Sequence, residues 1–301
     1  MRKILVTGAD GFIGSQVLPL LLERGYEVHA VVLADYLPSG REKKLYYHRC
    51  DLLEDREMRT LLAAVMPSHM LHLAWYTEHK EYWESPLNLR WVQASLGLYF
   101  SFAENGGARV ITAGTCAEYD WSYGCCSEET TPRRPSTLYG FSKNCLHEML
   151  ERLAPLLGIS SSWARLFFLY GPREQPTRLV PSIIRSLLAT RRAQCSNREQ
   201  TRDFLYVEDA ARALVKLLES DVIGAVNIAS GVPVMLRDMV EMLGDKLGRP
   251  DLINSDSERH SGTEPLTLIG DVRRLSEEVG WAPRFTLSTG LDKTIKWWRE
   301  Q

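Results

Sequence analysis

The sequence predicts an α/β protein: a doubly wound parallel β-sheet with helices on both faces, followed by a smaller α/β C-terminal domain. Three observations predict it. Short β-branched runs alternate with longer helical patterns through the first half, a glycine-rich turn follows the first run, and the rhythm changes beyond residue 170. Alternation of this kind is typical of parallel sheets, because parallel strands need long crossover connections. We therefore expect domains at 1–170 and 171–301, with some crossing of the chain between them.

The individual elements follow from periodicity and from glycine or proline boundaries. The expected strands are 3–7, 27–33, 46–49, 69–74, 109–113 and 161–167. The expected helices of the first half are 12–24, 54–65, 88–105 and 138–153. In the second half, helices are expected at 178–190, 207–219, 235–247 and 288–300, in a domain that lacks a large sheet of its own.

Composition excludes several function classes. The 301 residues carry a net charge of −2, which provides no basic surface for a nucleic acid. No apolar run reaches the roughly 18–20 residues of a membrane-spanning helix. The six cysteines are scattered without C-x-x-C spacing, which predicts reduced structural thiols and no metal site, with a metal or redox device at the adjacent Cys125 and Cys126 as the alternative. We expect a soluble, cytoplasmic enzyme without nucleic-acid or membrane partners.

The stretch T-G-A-D-G-F-I-G lies between the first predicted strand and its helix. Gly8 allows a tight turn, Gly11 lets a pyrophosphate approach the backbone, and Gly14 lets helix and strand pack closely. The helix N-terminus then offers free N–H groups and a favourable dipole to phosphates. The motif predicts a Rossmann-type dinucleotide site, with Phe12 and Ile13 beside the cofactor.

The choice between NAD and NADP depends on the end of the second strand. NAD-binding proteins usually place an acidic residue there for the ribose 2′-hydroxyl, but this chain has Val32 and Leu33. Asp35 comes slightly late, and Arg41 follows in a basic loop where it could bind a 2′-phosphate. The sequence favours NADP(H) over NAD(H).

Tyr139 and Lys143 form a Y-x-x-x-K pair on one face of a predicted helix. The lysine is expected to lower the pKa of the tyrosine and to hold the nicotinamide ribose. A phenol of lowered pKa can exchange a proton with a carbonyl or carbinol oxygen near neutral pH. The pair therefore predicts a proton-transfer site beside the cofactor.

These motifs, with Tyr170-Gly171-Pro172, R-D-F-L-Y-V-E-D-A-A at 202–211 and V-N-I-A-S-G at 226–231, resemble the extended short-chain dehydrogenases/reductases. More narrowly, the chain resembles the NAD-dependent epimerase/dehydratase family, whose members modify nucleotide sugars. The resemblance covers nearly the whole chain. It implies that Thr115 is a third catalytic residue, hydrogen-bonded to the substrate oxygen. It also implies cofactor contacts at four positions: Asp51, Leu52, Leu73 and Ala74.

The resemblance further implies a nucleotide-sugar site. Arg202 would contact the diphosphate and Arg259 would be a second clamp, while Leu179 and Val180 would pack along the base. Phe168 stands where the family usually has an asparagine, and Trp91 replaces another, with Asn88 one helical turn earlier. The remaining expected substrate contacts are Trp75, Tyr76, Cys116, Glu118 and Tyr119.

The residues after Thr115 narrow the range of reactions that the chain could catalyse. Dehydratases of this family carry an Asp-Glu pair there, and 3,5-epimerase/reductases a cysteine two residues before the tyrosine, but this chain has Cys116 and Ala117. Glu118 is left open as an unusual acid. The best match is a reductase of an NDP-4-keto-6-deoxyhexose, similar to CDP-abequose or paratose synthases. An NAD-dependent 4-epimerase and a catalytically silent dinucleotide binder remain alternatives. The resemblance also implies a homodimer through helices 88–105 and 138–153.

Overall fold

A computed structural model describes residues 2–33, 42–195, 197–253 and 265–301. Its strands in the described chain are β1 Lys3–Thr7, β2 Glu27–Val32, β3 Leu45–Arg49, β4 His69–His72, β5 Arg109–Thr115, β6 Cys125–Cys126, β7 Ser160–Leu166, β8 Phe168–Tyr170, β9 Thr201–Tyr206, β10 Gly224–Ile228, β11 Pro233–Met235 and β12 Thr267–Gly270. Its α-helices there are α1 Gly14–Glu23, α2 Asp55–Val65, α3 Leu87–Glu104, α4 Leu138–Leu157, α5 Leu179–Leu188, α6 Val207–Glu219, α7 Leu236–Leu247 and α8 Leu287–Arg299.

The central sheet has seven strands in the order β10-β7-β5-β4-β1-β2-β3. Each neighbouring pair is parallel. β1 is the point at which the winding direction reverses, since β2 and β3 extend to one side and β4 and β5 to the other. In sheets of this kind, ligands bind at the carboxyl ends of the strands beside the reversal point. The doubly wound α/β prediction is confirmed.

Helices cover both faces of this sheet. Ile4 and Val6 of β1 pack toward α1 and α6, whereas Leu5 faces the layer formed by α2, α3 and α4. A parallel strand buried on both faces needs an unbroken apolar run, and the I-L-V run of β1 provides one. None of the helices in the described residues is long and apolar enough to cross a membrane.

A second, mixed sheet of five short strands lies in the C-terminal half, in the order β11-β9-β12-β6 with β8 beside β9. This small sheet agrees with the expectation of a smaller α/β domain without a large sheet, although its individual strands were not predicted. Short strands with little periodicity give almost no sequence signal. The chain crosses between the two halves in both directions, because β6 joins the second sheet and β10 joins the first. The boundary at residue 170 stays a prediction.

Candidate active site

The glycine-rich turn between β1 and α1 is folded tightly against the end of β4. Gly8 has a φ of +65°, and a Cβ on it would lie 3.0 Å from the Cα and N of Ala74. A Cβ on Gly14 would lie 2.1 Å from the Gly8 oxygen, so no side chain fits at this position. Thr7 Oγ1 also accepts hydrogen bonds at 3.1 Å from the backbone N–H groups of Leu73 and Ala74. The turn and the end of β4 therefore form one rigid unit.

The start of α1 suits a phosphate ligand. No side chain caps its N-terminus, and no acidic residue lies in its first turn. Gly11 is exposed, and Phe12 and Ile13 are partly exposed, along this edge. Helix N-termini attract anions through their free N–H groups and dipole. The residues present thus fit a dinucleotide pyrophosphate, with the turn beneath it.

The expected adenosine side of the site is only partly described. Asp51 is partly exposed after β3, and its Oδ1 accepts a hydrogen bond from Leu53 N at 2.9 Å. Leu52 is buried in the core between the sheet and α2, so its side chain does not face a cofactor as expected. Its hydrophobic side chain is more stable in that core than at the cleft. Arg41 lies outside the described residues.

His72, at the end of β4, links the glycine turn to α3. Its Nδ1 lies 2.7 Å from Thr7 Oγ1 and its Nε2 lies 2.9 Å from Ser95 Oγ. Burial, and then the charge of Lys143, lower the pKa of His72 to about 3. The imidazole is therefore neutral, which lets one nitrogen accept a hydrogen bond while the other donates one. Sequence reasoning did not assign this function to His72 or Ser95.

The three expected catalytic side chains meet at the carboxyl end of β5. Thr115 is the last residue of that strand, and Thr137 caps α4 by accepting from Gly140 N, which places Tyr139 in the first turn. Thr115 hydrogen-bonds Tyr139, and its Oγ1 accepts from Ala117 N at 3.2 Å. One turn further along α4, Lys143 Nζ donates to the Ala113 carbonyl at 2.8 Å. The spacing of the Y-x-x-x-K pair thus places both groups beside Thr115.

The electrostatics of this trio differ from the expectation. Burial is the main cause that raises the pKa of Tyr139, followed by the nearby Tyr82, and the hydrogen bond from Thr115 only partly opposes them. Burial also lowers the pKa of Lys143 to about 7, against a smaller opposing effect of Glu118. The expected lowering of the Tyr139 pKa was wrong for this structure, because desolvation of the buried phenol outweighs the hydrogen bond from Thr115, which favours the ionised form. Tyr139 is a protonated phenol across the neutral range.

The ring of Trp75 packs against the Lys143 side chain. The Lys143 ammonium nitrogen lies 3.7 Å from the centre of a Trp75 ring, a cation–π contact. Trp75 is held by a hydrogen bond from its Nε1 to Asn88 Oδ1 at 2.8 Å and by stacking on Trp91. Trp91, which departs from the family pattern, and Asn88, one helical turn earlier, therefore both support Trp75 in the described structure.

Tyr82 and Trp83 form an aromatic wall around Tyr139 that sequence reasoning did not assign. Their rings meet Tyr139 edge to face, with ring centres 4.8 and 5.8 Å away. Trp121 extends the wall, 6.3 Å from Trp83, and its Nε1 donates to the Cys116 carbonyl. The only sequence signal was the aromatic content of the loop after β4. The expected contact Tyr76 is partly exposed and donates from its hydroxyl to Glu81.

The side chains that follow Thr115 turn away from the cleft. Cys116 is buried in an apolar cluster with Phe167, and burial strongly raises the pKa of its thiol. Glu118 and Tyr119 are also buried, with exposed fractions of 0% and 1%. Glu118 accepts a hydrogen bond from Arg165 Nε at 2.7 Å, so it is committed to an ion pair inside the protein. The expected substrate contacts of these side chains, and the unusual acid at Glu118, do not fit these positions.

The C-terminal half supplies the other side of the expected substrate site. Phe168 is partly exposed at the start of β8, and the Arg202 guanidinium lies over its ring at 5.5 Å. Arg202 is buried and donates to the carbonyls of Pro265 and Leu266. Leu179 is partly exposed.

Two further residues, Val180 and Arg259, were expected to contact the substrate. Val180 is 1% exposed and packs into the core with Ile183, so its side chain does not line the cleft as expected. An amphipathic helix buries one face, and Val180 falls on that face. Arg259 lies outside the described residues.

Comparisons with known proteins agree with this geometry. A profile of the NAD dependent epimerase/dehydratase family matches residues 4–229. The UDP-glucose 4-epimerase of Mycolicibacterium smegmatis is 27% identical over 99% of this chain and 99% of its own length. A dTDP-4-dehydro-6-deoxy-D-allose reductase from a Streptomyces species is 27% identical over 99% of this chain and 96% of its own.

Among solved structures, the UDP-glucose 4-epimerase of Thermus thermophilus in complex with NAD matches with a TM-score of 0.85 and 25% identity, over 99% of each chain. The family profile spans most of the sequence, including the glycine turn, the expected catalytic residues Thr115, Tyr139 and Lys143, and β10. The chain belongs to the NAD dependent epimerase/dehydratase family.

Proposed function

We propose that this protein is a nucleotide-sugar oxidoreductase that reduces an NDP-4-keto-6-deoxyhexose at C4, with NADP(H) preferred over NAD(H). The observation that carries the proposal is the chemistry after Thr115. Elimination of water needs an acid and a base there, but Cys116 is a buried thiol of raised pKa and Ala117 has no functional group. Glu118 is held inside by Arg165. Reduction needs only a hydride and one proton, and Tyr139 can supply the proton.

Each residue of the trio has a distinct task in this reaction. Tyr139 is the proton donor, since its raised pKa keeps the phenol protonated at neutral pH. Thr115 hydrogen-bonds Tyr139 here, and in the reaction its O–H would turn to the substrate oxygen and orient that oxygen toward Tyr139. Lys143 provides positive charge beside them and would hold the ribose of the nicotinamide. When bound at the glycine turn, the dinucleotide supplies the hydride.

The cleft suits a deoxysugar linked to a diphosphate. Trp75 and Trp83 are partly exposed and offer apolar ring surfaces beside Lys143 and Tyr139, and such walls favour a sugar with few hydroxyl groups. Arg202, with Arg259, would bind the diphosphate, because guanidinium groups pair well with phosphate oxygens. Leu179 would pack along the base.

The cofactor preference rests on the end of β2. Val32 is buried and Leu33 is exposed, so neither offers a carboxylate to a ribose 2′-hydroxyl. Without that acid, nothing at this position repels a 2′-phosphate, and we expect a lower KM for NADPH than for NADH.

A 4-epimerase is the second candidate, and the Mycolicibacterium and Thermus relatives favour it. An epimerase uses the same trio, oxidises and reduces the same carbon, and needs its dinucleotide retained throughout. The two candidates therefore differ in net redox change. Steady consumption of NADPH supports a reductase, while tightly bound NAD with no net consumption supports an epimerase.

The test is turnover of purified protein with NADPH and a panel of CDP-, GDP-, UDP- and dTDP-4-keto-6-deoxyhexoses. We expect loss of absorbance at 340 nm with at least one sugar. Tyr139→Phe should lower kcat by about 10²- to 10⁴-fold, the usual contribution of a general acid, with little change in substrate affinity. No consumption with any sugar, or full activity in Tyr139→Phe, would overturn the proposal.

We also propose a homodimer. α3 and α4 pack side by side, and their outer faces carry exposed apolar side chains. On α4, Phe141, Met149 and Leu156 recur about every two turns and share one face. Leu89 and Phe100 lie on α3. Neighbouring exposed apolar faces of this kind mark association surfaces, and a second copy would supply two matching helices.

A further inference from the structure

A buried cluster of polar side chains lies directly behind Thr115, centred on Glu118. Its Oε1 accepts from the Thr115 backbone N at 2.8 Å and from Trp163 Nε1 at 2.8 Å. Its Oε2 accepts from Arg165 Nε at 2.7 Å. Glu118 and Arg165 are 0% and 1% exposed. The carboxylate thus joins the carboxyl end of β5 to β7.

The backbone of β5 packs against this cluster without free space. A Cβ on Gly114 would lie 2.1 Å from Trp163 Nε1 and 2.7 Å from Glu118 Oε1. Only glycine fits before Thr115, because the carboxylate and the indole fill the volume that a side chain would need. The position of the Thr115 backbone is therefore fixed from behind by Glu118.

Arg165 in turn is fixed on its far side. Its Nη1 donates to the Tyr119 hydroxyl at 2.9 Å, and its Nη2 lies 3.2 Å from His147 Nδ1. Burial, and then Arg165 and Arg133, lower the pKa of His147 to about 3, so this imidazole is neutral and can accept.

Burying this polar cluster in the core is energetically unfavourable compared with burying apolar side chains. Replacing a buried ion pair with apolar residues of similar volume is often neutral or stabilising, because both charges lose their hydration. Stability alone therefore gives no strong reason for Glu118 and Arg165. Glu118 also acts on the catalytic groups, since its charge raises the pKa of both Tyr139 and Lys143.

We propose that Glu118 is a positioning residue for the reduction, which holds Thr115 in register with Tyr139 through its hydrogen bond to the Thr115 backbone and is itself held by Arg165. This inference rests on the proposed function for its kinetic consequence. Its geometry does not depend on which oxidoreduction the trio performs, because a reductase and an epimerase use the same three side chains.

The test separates the hydrogen bond from the charge. Both variants carry Arg165→Met, which avoids an unpaired buried guanidinium. In that background Glu118→Gln keeps an oxygen acceptor for the Thr115 N–H, and Glu118→Leu removes it. With NADPH and an NDP-4-keto-6-deoxyhexose, we expect Glu118→Leu to lower the plateau kcat by about 10- to 100-fold, with KM nearly unchanged, because small misplacements of reacting groups have effects of this size. Glu118→Gln should stay within about threefold of wild type.

A double-mutant cycle shows whether the effect passes through Thr115. In a Thr115→Ala background, Glu118→Leu should lower kcat by less than about threefold, since residues that act as a unit are not additive. An equal loss in both backgrounds would overturn the proposal, as would equal losses for Glu118→Gln and Glu118→Leu. Arg109→Met is the matched control, because it removes a buried guanidinium at the opposite end of β5. Its kcat per folded molecule should not change.

The pH profile gives a readout that loss of stability alone would not move. The titratable groups that act on Tyr139 are Tyr82, Glu118 and Cys116, and Glu118 also acts on Lys143. Because Glu118 raises the pKa of both catalytic groups, its removal lets them lose their protons at lower pH. The basic limb of the pH profile of kcat should therefore shift to lower pH in both Glu118 variants, and it should not shift in Arg109→Met. An unshifted limb contradicts the electrostatic effect of Glu118.

Hydrogen exchange tests the geometry without any substrate. In the folded protein, the Thr115 amide should exchange at least about tenfold faster in Glu118→Leu than in Glu118→Gln, both with Arg165→Met. Equal exchange would overturn the positioning role even in an active enzyme. If instead no sugar is turned over by wild type while this difference appears, the proposed reduction fails and the positioning of Thr115 stands.

Discussion

Replacing Lys143 with methionine should stabilise the protein while it abolishes activity. Lys143 is 3% exposed, and burial lowers its pKa from 10.5 to about 7. One pKa unit corresponds to about 1.4 kcal/mol, so keeping this ammonium charged below pH 7 costs the native state at most about 5 kcal/mol. The methionine variant loses the hydrogen bond to the Ala113 carbonyl, worth about 1.5–3 kcal/mol for a charged donor. A net stabilisation of about 2 kcal/mol at pH 6 follows from these opposing effects.

The pH dependence of this difference is its most specific feature. Between about pH 7 and pH 10.5 the unfolded chain binds more protons at Lys143 than the native protein does, so wild-type stability rises with pH in that window. The stability of Lys143→Met relative to wild type should therefore fall by about 3 kcal/mol between pH 6 and pH 9.5, from about 2 kcal/mol in favour of the variant to about 1 kcal/mol in favour of wild type. Urea unfolding of both proteins at several pH values measures it.

The control is Lys216→Met, which removes an exposed lysine in the last turn of α6. Its stability should stay within about 0.5 kcal/mol of wild type. A Lys143→Met variant that is less stable than wild type at pH 6, with a difference that does not vary with pH, would refute the argument. The Trp75 contact and the Ala113 hydrogen bond would then outweigh the desolvation of the ammonium.

Three further predictions concern the glycine-rich turn, the proposed dimer and the aromatic wall. Gly14→Ala should abolish dinucleotide binding in a calorimetric titration, because the new Cβ would meet the backbone of the turn, while Gly97→Ala in α3 meets only ordinary contacts and should leave binding intact. Phe141→Glu should convert a dimer into monomers in sedimentation experiments, and an unchanged mass would exclude this face as the interface. Trp83→Ala should raise KM for the sugar about tenfold, since an aromatic contact contributes about 1 kcal/mol beyond its buried area, and an unchanged KM would remove Trp83 from the site.

The main sheet was predictable because its signals are local. β1 is an apolar run followed at once by a glycine turn, and the helices that pack on it have clear periodicity. Tyr139 and Lys143 were found because a fixed spacing on one helix brings them together. The strands of the second sheet were not, since strands of two to six residues that pair across the chain leave little pattern.

The electrostatics and the outer wall of the site depend on distant contacts that spacing does not encode. Tyr82 contacts Tyr139 from a loop that Asn88 helps to hold, since Asn88 Nδ2 donates to the Tyr82 carbonyl. Glu118 looked like a site residue because it follows Thr115. Two features indicate that the Glu118 side chain faces inward. Glu118 is an acidic residue in an otherwise buried stretch, and its hydrogen-bond partners Trp163 and Arg165 lie on the neighbouring strand β7. That pairing becomes visible only when β5 and β7 are placed side by side.

The buried charges of this site depend on one another. Lys143 loses most of its hydration beneath the sheet edge, and by itself that burial would favour the neutral amine. The charge of Glu118 opposes this effect, so the lysine retains its proton at a higher pH than burial alone would allow. Glu118 in turn needs Arg165, because an unpaired buried carboxylate would be strongly destabilising. An apolar residue at position 118 would therefore remove a buried charge from the core. It would also remove the negative charge that helps keep Lys143 protonated, and the acceptor of the Thr115 backbone N–H. We therefore interpret the ion pair behind β5 as support for the proposed catalytic groups in front of it.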